Sequence, residues 1–178
     1  MKAAAGTLRG SVRSKVQASQ WTEELLRRLE WRRFEELCAA YFDAAGYERT
    51  GTLVHCLPWD AYRVGIKPVR ELRGAMTTRE LGKGLLMTSG KFTKEARDFA
   101  AKEHIRLIDG PELLGGIAAL APETSQALLQ LATQGDYSTP TCPACGVKMA
   151  PRKSTSAGRP FWGCRNYPRC KETVAGAP

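Results

Sequence analysis

Cys142, Cys145, Cys164 and Cys170 form a Cys-x2-Cys pair, eighteen intervening residues and a Cys-x5-Cys pair. A two-residue gap lets two sulfurs reach one ion from a tight turn, and four thiolates close a tetrahedron round Zn²⁺ with no position left open for catalysis. Pro143 and Gly146 stand where such a knuckle must turn sharply. Disulfides or free thiols are the other readings of these cysteines. The 140–178 segment is too small to build much of a core, so a metal there would supply folding free energy. No apolar stretch approaches ~20 residues and no secretory apolar region is present. A reducing, cytoplasmic setting follows as the expectation, with no membrane attachment, and it favours structural zinc over disulfides.

Between the last two cysteines lie Arg165, Asn166, Tyr167, Pro168 and Arg169, two cations and an aromatic. Arg152, Lys153, Arg159, Arg165 and Arg169 could follow phosphates while Phe161, Trp162 and Tyr167 stack on unpaired bases. The same aromatics could instead pack over the metal, because the module has almost no other core. Phe161 and Trp162 suit either role; Tyr167, between two arginines, suits stacking.

Charge is distributed in the same sense. Of the net +9, residues 1–20 carry +4 and residues 140–178 carry +6, which leaves the middle at −1. Bound Zn²⁺ with four thiolates would subtract two from the tail, yet about +4 in so short a segment is still a polyanion footprint. Residues 1–20 lack an apolar face and are expected to be a mobile basic arm rather than a targeting peptide or a membrane-inserting helix.

The middle must supply the scaffold. Trp31, Phe34, Leu37, Cys38, Tyr41, Phe42 and Ala45 recur as one face of a helix that Gly46 ends, with Cys38 a small buried hydrophobe. Leu53–Leu57, closed by Pro58, predicts a buried strand. Beyond it the pattern predicts a helix near Lys67–Arg79, a strand at Gly84–Thr88, a helix at Thr93–His104 and a strand at Ile105–Asp109. Short helices follow at Pro111–Leu120 and Ser125–Thr133. This alternation implies βα units and a largely parallel sheet. The expected organisation is an arm (1–20), an α/β domain (21–134), a linker (135–140), a finger (141–172) and a tail (173–178).

Two stretches resemble known families. Cys142-Pro-Ala-Cys-Gly-Val-Lys-Met-Ala-Pro-Arg, followed by Gly158-Arg-Pro-Phe-Trp-Gly-Cys-Arg-Asn-Tyr-Pro-Arg-Cys170, resembles the C-terminal four-cysteine zinc finger of bacterial type I topoisomerases. That resemblance implies DNA binding, single strands favoured. Leu29-Glu-Trp-Arg-Arg-Phe-Glu-Glu-Leu, Val64-Gly-Ile-Lys-Pro-Val-Arg-Glu-Leu-Arg-Gly-Ala-Met, Thr88-Ser-Gly-Lys-Phe-Thr-Lys-Glu-Ala and Ile105-Arg-Leu-Ile-Asp-Gly resemble the Mrr-like restriction endonucleases. Their implied fold is the PD-(D/E)xK core, a mixed sheet flanked by helices, and the implied activity is Mg²⁺-dependent DNA cleavage.

That core needs an Asp on one strand, an acidic residue or Gln and then a Lys on the next, and usually a Glu on the first helix. Carboxylates hold Mg²⁺ against the phosphate and the Lys positions the attacking water. Where the family reads roughly Val-Gln-Cys-Lys-x-Trp, this chain reads Val54-His-Cys-Leu-Pro-Trp59, with His55 for the Gln and Leu57 for the Lys. Only seven residues separate Gly46 from Val54 and none is Asp. Such a gap spans at most ~29 Å, too little for a strand, a turn and a second strand. Glu35 or Glu36 on the first helix is what remains. His55 reads as a core histidine, Asp60 as a turn residue, Asp109 as the N-cap of the next helix and His104 as a helix-end cation. The sequence therefore predicts a truncated restriction-endonuclease-like domain with no catalytic residue, joined to a DNA-binding zinc ribbon. A working Mg²⁺-dependent endonuclease and a non-catalytic interaction module are the alternatives; oligomeric state is open.

Overall fold

The computed structural model describes residues 19–47, 50–57, 63–154 and 158–175. The anticipated basic arm, but for its last two residues, lies outside them, as do Trp59 and Asp60.

Thr22 caps α1 (Glu23–Arg28) by accepting the Leu25 amide at 3.0 Å. The chain then turns extended at Leu29 and Glu30, and α2 (Trp31–Ala44) begins with Glu30 as its N-cap. Gly46 leaves the helix at φ +70°, a conformation that costs a glycine little. Next come β1 (Thr52–Cys56), β2 (Arg63–Val64), α3 (Ile66–Thr78), β3 (Lys83–Met87), β4 (Lys91–Phe92), α4 (Lys94–Lys102), β5 (Ile105–Ile108), α5 (Gly110–Ala118) and α6 (Pro122–Thr133). These follow the expected order, with α1 and the two-residue β2–β4 pair as additions.

The main sheet has the order β1-β3-β5, all neighbours parallel. Successive side chains point to opposite faces. Leu85, Met87 and Ile108 face α1, α2 and α5 through Leu26, Phe34, Leu37 and Ile117. Leu86, Ile105 and Leu107 face α3 and α4 through Val69, Leu72, Met76 and Ala96. Burying each large side chain contributes roughly 1.5–3 kcal/mol, so both layers are needed to hold so small a sheet. Gly84 permits the closest approach of α3, since a Cβ there would lie 2.5 Å from Met76 Sδ.

β1 ends the sheet order, so among the described residues its outer edge has no strand partner. Residues 45–51 alone join α2 to β1. Val54, at the middle of that edge, is 38% exposed.

The finger has a three-stranded sheet of its own. β6 (Ala150–Lys153), β7 (Pro160–Gly163) and β8 (Thr173–Ala175) pair antiparallel in that order. Thr173–Ala175, expected as tail, therefore complete the ribbon, because β7 would otherwise lack a partner on that side. The expected linker is pinned as well: Asp136 accepts the Thr139 amide at 3.0 Å, and Tyr137 O accepts the Glu30 amide at 2.8 Å.

Candidate metal centre and nucleic-acid interface

Two knuckles carry the four cysteines. Cys142 N–H donates to Val147 O at 2.8 Å and Gly146 N–H to Cys142 O at 2.9 Å, closing the first turn with Gly146 at φ +74°. The Cys170 amide donates to Asn166 O at 3.0 Å and closes the wider second turn, so five intervening residues still bring both sulfurs inward. The four Sγ atoms lie within 4.8 Å of one another, with Cys142–Cys170 at 3.7 Å and Cys145–Cys164 at 3.4 Å. Zn–S bonds of ~2.3 Å at the tetrahedral angle require sulfurs about 3.8 Å apart, whereas a disulfide needs ~2.05 Å. The donor set fits Zn²⁺, and structural zinc is the cofactor of this module.

Donors round the sulfurs favour thiolate charge. Asn166 N–H points at Cys164 Sγ (3.4 Å) and Asn166 Nδ2 at Cys145 Sγ (3.5 Å). A hydrogen bond from the Val147 amide, the largest influence, helps bring the exposed Cys145 thiol down to about 7. Burial pushes the Cys164 thiol up. Beneath the cluster, Met149 and Trp162 pack against Cys142 and Cys164.

Trp162 is 7% exposed, so it belongs to this core and not to a base-stacking surface. Period-two alternation along β7 decides it: with Trp162 turned inward, Phe161 is turned the other way. Phe161 joins Arg152, Tyr167 and Lys171 round a groove of about 330 Å³ that Cys164 and Cys170 also line. Tyr167 is 69% exposed. A Cβ on Gly163 would come within 3.0 Å of Arg152 Cγ, so glycine lets the arginine stem lie across β7. Arg152, Lys153, Arg159, Arg165 and Arg169 are all exposed. Lys171 is the member that sequence reasoning missed; it follows the last cysteine, a position whose facing depends on how β8 returns.

The second candidate region lies at β1. His55, expected in the core, is exposed on this edge strand, whereas Leu57 is 8% exposed and packs with Val64, Val69 and Phe92. Glu35 on α2 comes near enough for the His55 charge to act on it, yet burial is the larger influence and holds its carboxyl above the usual range. Glu36 pairs instead with Arg33 at 3.3 Å. Asp109 caps α5 by accepting the Glu112 amide at 3.1 Å and pairs with Arg97, as its N-cap reading expected. Cys38 is buried on α2. His104 turns the chain at φ +54° after α4 and its carbonyl accepts the Gly84 amide. Among the described residues, the four finger cysteines are the one group of three or more His, Cys, Asp or Glu side chains drawn close enough to share an ion.

Residues 139–176 match the family described as topoisomerase DNA binding C4 zinc finger, and residues 49–116 match the restriction endonuclease family of Mrr type. One segment of the chain is thus similar to Mrr-type endonucleases and another to the topoisomerase C4 finger. No curated protein matches the chain significantly. The Mrr-like match begins at residue 49, after α2, so β1 is its first strand. The finger match runs from the pinned linker through β8 and contains all four cysteines.

Proposed function

We propose that this protein binds DNA through its zinc finger, single strands preferred, and that its Mrr-like domain no longer cuts. The observation that supports the binding half is the groove beside the metal centre, lined by exposed Tyr167 and half-buried Phe161 together with Arg152 and Lys171, a mix of aromatics and cations that suits stacked bases and phosphates. Stacking tolerates any base and needs it unpaired, which favours single strands. The six free cysteines are chemically suited to a reducing compartment, and a cytoplasmic location is part of the reading.

The loss of chemistry is inferred from β1. The position where the family has its water-positioning Lys holds Leu57, and that side chain is committed to the layer under α3 and α4. Residues 45–51 leave no length for a preceding Asp-bearing strand. Glu35 alone is a weak Mg²⁺ site, since Mg²⁺ is held by one or two carboxylates together with substrate phosphate and several waters.

Binding is tested by titrating the zinc-loaded protein against fluorescent single- and double-stranded oligonucleotides across a salt series. We expect tighter single-strand binding and a log K that falls with log[salt] at a slope of roughly −3 to −5, for about four to six phosphate contacts. Salt-independent binding, or none, would favour an interaction module.

A further inference from the structure

Glu30 is 3% exposed and sits where α1 gives way to α2, as the N-cap of α2. Its carboxylate accepts four hydrogen bonds. One comes from its own helix, the Arg32 amide at 3.1 Å. The other three come from the finger: the Thr141 amide at 3.2 Å, the Thr141 hydroxyl at 3.0 Å and Lys148 Nζ at 3.1 Å. Beside it, the Trp31 indole N–H donates to Thr141 O at 2.7 Å. Lys148 Nζ also donates to Thr139 O at 2.8 Å, so the cation is itself held in place.

Thr141 and Lys148 bracket the first knuckle and bridge to each other across it. Cys142 and Cys145 lie between them, so the positions of both Glu30 partners depend on that turn being formed. A small metal module orders its turns when it takes up the ion and loses them when the ion leaves. A carboxylate buried in the helical domain would then keep one of its four partners, and a buried charge stripped of its partners is strongly destabilising.

We propose that Glu30 is a metal-linked latch: it fixes the finger on the helical domain, and it makes the stability of that domain depend on zinc held by the finger. The inference concerns coupling between the two parts and stands whether or not DNA is the ligand. By linkage, a domain that favours the folded knuckle also tightens the finger's grip on zinc.

The test uses the full chain, zinc-loaded and zinc-stripped under reducing conditions, with zinc content measured in every sample. All described helices lie before residue 134, so helical ellipticity reports on the helical domain and not on the finger. Stripping zinc from the wild type should lower the helical unfolding midpoint by about 5–10 °C and speed amide exchange over residues 31–37 by about tenfold or more. Lys148→Met should keep its zinc yet start from a lower midpoint, and its further loss on stripping should be less than half that of the wild type. Glu30→Ala should behave likewise. If it fails to fold, Lys148→Met with Thr141→Val, which leaves the helical domain untouched, carries the same comparison. A wild-type midpoint that stays put when zinc leaves, or a zinc-linked drop equally large in the Lys148 and Thr141 variants, would overturn the latch. A chain that never held zinc, as the metal measurement would show, would overturn the latch together with the metal site.

Discussion

Phe161 and Trp162 are adjacent aromatics that the strand sends to opposite sides, and they should fail differently when truncated. Trp162→Ala removes a large part of the finger's small core, so it should release zinc and unfold the ribbon, seen as lost metal content. Phe161→Ala should keep zinc and weaken DNA binding alone. Tyr167→Ala should cost about 1–3 kcal/mol of single-strand affinity and less on duplex, read by anisotropy. Equal losses on both DNA forms would remove stacking as its role. The cysteines were legible because ligand spacing is a local property of the chain. The fate of Trp162 was not, because it depends on which face of β7 meets the cluster. Glu30 was hidden for a related reason: it reads as an ordinary residue ahead of a helix, and its partners lie 111 and 118 residues away.

At the scale of elements, α2 and β1 bear most on the account. Phe34, fully buried on α2 against the sheet, should cost about 3–5 kcal/mol when replaced by Ala, measurable by urea unfolding. The double variant His55→Gln, Leu57→Lys restores the family's residue types on β1 and just after it but supplies no Asp-bearing strand. It should stay inactive and should also be less stable than the wild type, because residue 57 lies in the layer under α3 and α4 and a lysine there must bury or displace its charge. Magnesium-dependent cutting by that variant would show that a metal site needs less than the family pattern. The helix stripe, the βα alternation and the short connection from α2 to β1 were all readable from periodicity and chain length. The break between α1 and α2 and the two-residue β2–β4 pair were not, since neither has a periodic pattern long enough to register.

For the whole molecule, the net charge and the Mrr-like segment lie in different places. The +6 of residues 140–178 accompanies the aromatic groove, while residues 21–139 are close to neutral and carry the Mrr-like segment. Replacing Arg152, Arg165 and Arg169 together by Ala in the full chain should reduce the magnitude of the salt slope by roughly 2–3, at ~0.7–0.9 per lost contact. An unchanged slope would place the phosphate track elsewhere. Among the described residues no helix is long and apolar enough to cross a membrane. The central claim is that binding persists where cleavage does not. It is tested most directly by incubating DNA, with binding saturated and verified in the same tube, with the zinc-loaded chain and added Mg²⁺ or Mn²⁺. The account predicts bound and uncut DNA. Divalent-dependent cleavage that Glu35→Ala or His55→Ala abolishes, with binding retained, would contradict it and make the protein a working endonuclease.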